Sequence, residues 1–213
     1  DDFGKTLLDR LKRDGVNVDY VFEDDHTSTA VAFVTYFSDG SRKFRYHIGN
    51  TPAVHPKPFD MRDIRGAKYF HIMGCSLMAD EAFRDRIIDA AMRFAAAGAK
   101  ISFDPNIRAE LLGGRTVDEV LGGVLENCAV LMPGVDELKL LTGEDSVEDG
   151  IKKLFGYAKL EVVALKKGRD GSTLYSRNGR ADCPLYRVKQ VDPTGAGDCF
   201  DAALLCGLIE GKS

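Results

Sequence analysis

The chain has 213 residues, 44% of them hydrophobic and 29% charged, with a formal net charge of −4. This is a globular mixture able to bury one sizeable core, and its acidic balance argues against a nucleic-acid or anionic-membrane surface. No apolar run is long enough to span a membrane, and no charged-then-apolar segment opens the chain as a secretion signal.

Leu7, Leu8 and Leu11 sit at helical spacing and Gly15 stops the run, so residues 3–14 read as a helix. Residues 29–37, "TAVAFVTYF", and 42–48, "RKFRYHI", are rich in β-branched and aromatic residues, and the "SDGS" between them carries a hairpin signal. Both faces of that hairpin hold apolar or aromatic groups, so something else must cover one of them. "TPAVHPKPFD" (51–60) reads as the proline-rich link between the hairpin and a sheet domain.

From residue 69 the rhythm changes. "YFHIMG" reads as a short buried strand. A helix over 80–98 follows, with Phe83, Ile87, Ala91 and Phe94 on one face, Asp80 at its N-cap and Gly98 at its C-cap. "KISFDP" is the next strand. Residues 116–126 read as a helix, 129–132 as a strand, 135–142 and 147–155 as helices, and 160–166 as a strand. Strands around 171–176 and 182–188 are expected to be antiparallel at one edge, and a last helix runs to about Glu210. Strands alternating with helices indicate βαβ units and a parallel sheet. Both chain ends fall close to helical patterns, as expected of an interior segment of a longer core.

The five cysteines, Cys75, Cys128, Cys183, Cys199 and Cys206, form no CxxC pair. They read as reduced thiols packed as small core residues, in a cytoplasmic setting. His26, His47, His55 and His71 show no metal-ligand spacing.

Open parallel sheets bind ligands beyond the carboxyl ends of their strands. Four such ends carry charged or glycine-rich sequence: "DPNIR" (104–108), "PGVDE" (133–137), "KKGRDG" (166–171) and "DPTGAGD" (192–198). The last precedes an apolar helix. Gly195, Ala196 and Gly197 leave room for an anion at that helix's unpaired N–H groups. Asp198 in the same turn would repel a resting anion, so its presence makes sense if it handles a proton while the amides hold developing charge. Phosphoryl transfer to an alcohol needs that pairing. GAGD alone fits a capped helix equally well. Neither a GxxxxGK[ST] loop nor a GxGxxG fingerprint is present.

"VDPTGAGDCF" (191–200) resembles the C-terminal signature of the ribokinase-like, or phosphofructokinase-B, carbohydrate kinases. The resemblance extends along nearly the whole chain. The 29–48 hairpin resembles that family's β-lid, "FDPNIR" its D-x-N-x-R strand end, "MPGVDEL" its N-x-x-E motif, and "ALKKGRDGS" the segment lining its nucleotide site. It implies an α/β three-layer sandwich with a mostly parallel central sheet flanked by helices, plus a small β-lid. Residues 1–28 would begin the kinase core, 29–50 form the lid, and 51–213 carry the nucleotide and phosphate site.

The activity implied is transfer of the ATP γ-phosphate to a hydroxyl of a ketose or keto-sugar acid, with Mg²⁺ and a monovalent cation such as K⁺. Asp198 would be the general base, with the amides of Gly195, Ala196 and Gly197 as the anion hole. Asp192 and Thr194 would help hold the monovalent cation, and Glu137 would act on magnesium through water. Lys166, Gly168, Gly171, Thr194 and Asn106 would face the nucleotide; Arg108, Tyr46 and His47 would face the sugar. Taken alone, Lys166 and Lys167 also fit solvated charges, and Glu137 a helix-start acid. Two positions depart from the pattern: Pro193 stands in place of a threonine, and Gly134 in place of the motif's asparagine. In 2-keto-3-deoxygluconate kinases the lid supplies an arginine to a sugar carboxylate; His47 falls near that place here, with Arg45 close by. Lid pairing implies a homodimer, with no nucleic-acid or membrane partner. A sugar or nucleoside sensor without turnover, and a nucleoside kinase, are the alternative readings.

Overall fold

The computed structural model describes residues 1–38, 42–57, 60, 64–189 and 191–212. The elements in chain order are α1 (Asp2–Arg13), β1 (Val31–Tyr36), β2 (Arg42–His47), β3 (Tyr69–Met73), α2 (Gly74–Ala79), α3 (Glu81–Ala96), β4 (Lys100–Asp104), α4 (Ala109–Leu112), α5 (Val117–Leu125), β5 (Cys128–Leu131), α6 (Val135–Thr142), α7 (Val147–Leu154), β6 (Val162–Lys166), β7 (Ser172–Ser176), β8 (Gly179–Cys183) and α8 (Ala196–Ile209). Strands β3 to β8 form one six-stranded sheet in that spatial order, and β1 with β2 forms a separate antiparallel pair. The central SDGS turn falls on residues 39–41, outside the described residues.

The sheet is parallel from β3 to β6 and antiparallel through β7 and β8. Every residue of β5 is buried, as expected of a strand covered on both faces. One face packs Leu77, Ala91, Phe103, Leu121, Leu138 and Leu154 from the strands and the helices α2, α3, α5, α6 and α7. On the other face, Val130, Met132 and Ala164 meet Phe200, Leu204, Leu205 and Leu208 of α8. This is the expected mostly parallel sheet between helical layers. Among the described residues no helix is long and apolar enough to cross a membrane.

Local sequence explains where the helices start. The Asp80 carboxylate accepts the Phe83 N–H at 2.8 Å and opens α3. The Thr116 hydroxyl accepts the Glu119 N–H at 3.2 Å while Glu119 returns to the Thr116 N–H, a capping box that opens α5.

Three expectations change. The strand expected over 182–188 is instead Gly179–Cys183, because a two-residue turn at Arg177 and Asn178 starts it directly from Ser176. It ends where Pro184 removes the next ladder donor. Residues 74–79 form a helix continuing straight out of β3; a short buried run such as "GCSLMA" gives no usable periodicity. Of the cysteines, only Cys128 is buried; Cys75 is half-buried and Cys183, Cys199 and Cys206 are exposed. The latter three sit in a sheet edge and on a helix where only one stripe faces the core.

One contact fixes how the exits of β3 and β4 cross. A Cβ on Gly74 would lie 1.9 Å from the Pro105 carbonyl oxygen. Backbone cannot yield there as a side chain can. Gly74→Ala should therefore cost about 1–3 kcal/mol or more by overpacking, read as a lowered urea midpoint at unchanged slope.

Candidate active site

Because β3 to β6 run in one direction, Met73, Asp104, Leu131 and Lys166 end at the same edge of the sheet. An isolated parallel bridge between Gly134 and Lys166 keeps the register of the β5–β6 pairing three residues beyond its last pair, Leu131–Val163. The amino end of α8 arrives at this edge from the opposite face. A Cβ on Gly197 would lie 4.0 Å from the Lys166 ammonium.

Gly195 is left-handed, with φ +80°, and begins α8. Glycine accepts that conformation without a Cβ clash. The Asp192 carboxylate accepts the Thr194 N–H at 2.9 Å, turning the chain into the loop. Asp198 is exposed, and its Oδ2 lies 3.8 Å from where a Gly195 Cβ would be. The carboxylate thus stands beside this turn, open to an incoming molecule. Of the three amides expected to form an anion hole, that of Ala196 is instead donated to the Pro193 carbonyl at 3.1 Å, because the chain closes a tight turn there.

The two-stranded pair lies over this edge. Facing pairs Ala32–Tyr46 and Val34–Phe44 put those four residues on one face, and Val31–His47 and Phe33–Arg45 on the other. Phe44 and Tyr46 stack with ring centroids 5.8 Å apart. The Arg108 guanidinium lies 5.2 Å from the centre of the Phe44 ring. Burial pushes the Tyr46 phenol above its ordinary range, against the charge and hydrogen bond of Arg108. The hydroxyls of Tyr36 and Thr194 lie 3.4 Å apart, so the pair also reaches the α8 turn. His47 takes the outer face, edge-on to Phe33 at 5.7 Å. The structure therefore brings Tyr46 and Arg108 together and leaves His47 and Arg45 away from them.

The "DPNIR" turn is held from two sides. Asn106 is left-handed at φ +37°, and its N–H donates to Asp104 Oδ1 at 3.2 Å. Its own Oδ1 is buried and meets no donor among the described residues. Glu137 accepts the Ile107 N–H at 2.8 Å and the Gly134 N–H at 2.7 Å. The glycine in place of asparagine has not stranded Glu137; its carboxylate is engaged by two backbone amides. Among the described residues no group of three or more His, Cys, Asp and Glu is placed to hold a metal ion. The oxygen donors of Asp192 and Thr194 suit a hard monovalent cation.

Lys166 departs most from its expected setting. Its side chain is 20% exposed and reaches Asp104 Oδ2 at 2.9 Å and Asp201 Oδ1 at 3.4 Å. It is an internal ion-pair partner, not a solvated charge, because the start of α8 covers it. Gly168 and Gly171, at φ +58° and +80°, shape the turn just after it. A Cβ on Gly171 would lie 2.2 Å from the Cys183 carbonyl, so that glycine serves β7–β8 packing. Asp201 is 2% exposed and was not among the sequence candidates. Burial raises its carboxyl to about 7, with the Asp104 carboxyl adding and Lys166 opposing. Nearby, burial lowers His71, whose Nδ1 lies 3.2 Å from Ser102 Oγ, and raises the Cys75 thiol.

A profile described as pfkB family carbohydrate kinase matches residues 1–213. Fructokinase-1 of Oryza sativa subsp. japonica is 33% identical over 217 residues, covering 100% of this chain and 67% of its own. The crystal structure of a protein from E. coli described as a ribokinase II, in its apo form, superposes with a TM-score of 0.90 at 34% identity, over 100% of this chain and 68% of that one. The same protein in complex with ATP and Mg²⁺ gives a TM-score of 0.83, over 98% and 67%. The chain spans about two thirds of the length of the plant fructokinases it matches.

This geometry sets two expected outcomes. Glu137→Ala should release two amides and cost about 1–3 kcal/mol for each one left unsatisfied, seen in denaturant unfolding without any ligand. Asp201 holds its proton more tightly folded than unfolded. Its stabilising contribution is thus full below the ordinary carboxylate range and is lost as pH rises toward about 7. Asp201→Asn should flatten the fall in stability over that window, measured by unfolding at pH 5 and pH 8.

Proposed function

The chain belongs to the pfkB family of carbohydrate kinases, and on that premise we propose that it is the greater part of an ATP-dependent kinase acting on a hydroxyl of a neutral ketose such as fructose. The observation that carries this reading is the exposed Asp198 carboxylate beside the left-handed Gly195 turn, under a lid that touches the same turn through Tyr36. A helix that merely needed a cap would gain nothing from a lid over it.

Asp198 takes the proton of the sugar hydroxyl as that oxygen attacks phosphorus. The amides of Gly195 and Gly197 meet the negative charge that grows on the phosphoryl oxygens, the Ala196 amide being held by the Pro193 carbonyl. Arg108 offers a cation to the transferring group or the sugar, held in place by Phe44 and Tyr46. Asn106, whose buried oxygen meets no donor among the described residues, lies at the same edge. Asp192 and Thr194 would hold a monovalent cation beside the loop. Glu137 keeps the Asn106–Arg108 turn in place and would bear on a magnesium ion through water. The turn from Gly168 to Gly171 borders the nucleotide. ATP with its magnesium supplies the phosphoryl group.

Support for a neutral sugar comes from the lid. Arg45 and His47 share its outer face, so neither is presented to a sugar beneath Tyr46 within one chain. That outer face, with Phe33 exposed, suits pairing with a second copy, and we place the dimer contact there.

With the full-length protein, ATP, Mg²⁺ and K⁺, fructose should be phosphorylated with ADP release, and sugar acids and nucleosides should be poor acceptors. Asp198→Asn should lower kcat by about 10²–10⁴-fold, the range for loss of a positioned base, with ATP binding retained by calorimetry. Near-normal turnover in that variant removes Asp198 from the mechanism. Tight sugar binding without turnover of any acceptor would point to a sensor instead.

A further inference from the structure

Between the sheet and α8 lies a buried polar cluster that the proposed chemistry does not use. Phe200, Leu204, Leu205 and Leu208 form the apolar stripe of α8 against the sheet. Asp201 lies in that same interface, one turn after Asp198, with 2% exposure. A carboxylate among leucines and phenylalanine needs a reason. Its partners come from two different strands. Lys166 at the end of β6 reaches Asp201 at 3.4 Å and Asp104, at the end of β4, at 2.9 Å. The Asp104 and Asp201 carboxyls are close enough to hydrogen-bond once one of them holds a proton. Asp201 Oδ2 is buried and meets no other donor among the described residues.

We propose that Asp104, Lys166 and Asp201 form a clamp that positions the first turn of α8, and through it the Gly195–Gly197 amides and the Asp198 carboxylate, against the strand ends. The inference rests on the kinase reading for its catalytic consequence, though not for its structural one.

Three physical points carry it. Two facing carboxylates cannot both ionise cheaply, so one ammonium, one carboxylate and one shared proton give a balanced cluster. Such a cluster is a poor source of stability, since apolar residues of like volume do as well or better. What it adds is direction: each hydrogen bond fixes a distance between named backbone segments, whereas apolar packing tolerates sliding. The segments fixed here are the ones that matter. Asp104 also receives the Asn106 N–H, so the same carboxylate sets the turn leading to Arg108. The Lys166 ammonium lies against Gly197, in the middle of the anion turn. The other charged or titratable groups facing the cluster are His71 on β3, Asp198 on α8, and Cys75 and Arg108 close by.

The test uses the full-length enzyme with Lys166→Met, Lys166→Arg, Asp201→Asn and the double variant Lys166→Met/Asp201→Asn. A displacement of the reacting groups on the ångström scale lowers rate by about 10²-fold. Lys166→Met and Asp201→Asn should therefore show a kcat loss of that order, with the KM values for ATP and sugar little changed. Lys166→Arg keeps the charge but not the point geometry of the ammonium, so it should fold normally and still lose kcat. The double variant leaves Asp104 an amide donor, and should recover stability without recovering kcat. Amide hydrogen exchange supplies a readout free of turnover: protection of residues 199–202, whose N–H groups close the first turn of α8, should fall in Lys166→Met while that of β5 stays. Wild-type kcat in any folded variant, or unchanged protection of the α8 turn, overturns the clamp. A wild-type enzyme that phosphorylates no sugar overturns the kinase reading instead, and leaves the exchange result to decide the clamp.

Discussion

A parallel sheet delivers every strand's carboxyl end to one edge, and the site depends on that. Asp104, the Gly134 amide and Lys166 become neighbours because β4, β5 and β6 share a direction. The strands are buried on both faces and cannot carry exposed polar groups along their length. Polar chemistry is left to the last residue of a strand, as at Asp104 and Lys166, and to the first residues beyond it, where backbone groups need partners in any case. Glu137 shows the economy of this: one carboxylate satisfies the Gly134 and Ile107 amides and so ties two strand exits together.

Helix α8 meets the same edge from the other face, and its first turn has two opposing duties. Outward, the proposed reaction needs its amides open to an anion, except that of Ala196, which the Pro193 carbonyl takes. Inward, it must be anchored strongly enough that a charged ligand does not drag it. A wholly apolar inner face would hold the helix through Phe200, Leu204, Leu205 and Leu208, contacts that tolerate sliding. Asp201, next to Phe200, adds a directional tie to Lys166 at the end of β6. The cost is a buried carboxyl whose proton is held far more tightly than in water. Strength outside and constraint inside thus come from neighbouring aspartates, Asp198 and Asp201, distinguished only by the face of the helix each occupies.

Much of this was legible in the sequence, and the physical reason is periodicity. Strand and helix alternation gave the parallel sheet; Asp80 marked a helix start by its hydrogen-bonding chemistry. The GAGD turn was legible because glycines before an apolar helix, followed by an acid, have few other uses. What escaped was long-range. Asp201 looks like any polar residue of a helix until β4 and β6 supply Asp104 and Lys166 from 97 and 35 positions away in sequence. Lys166 looks solvated for the same reason. Tyr36 gave no signal, since its partner Thr194 lies 158 residues on. The short helix from Gly74 and the early end of β8 were lost because runs of five or six residues carry too little pattern.

The lid illustrates how one elementary period settles a question that residue type leaves open. Arg45, Tyr46 and His47 are consecutive, and each is chemically able to meet a sugar. In a strand, successive side chains take opposite faces. Tyr46 shares the inner face with Phe44, and both are engaged with Arg108. Arg45 and His47 must then share the outer face, where His47 rests on Phe33. A one-residue slip in register would exchange the two sets, but it would also take Phe44 away from Arg108 and expose both aromatic rings of the inner face. The cation beneath the lid is therefore Arg108 from the sheet edge, not Arg45 from the lid. A guanidinium held there against an aromatic ring can serve the transferring phosphate of the proposed reaction.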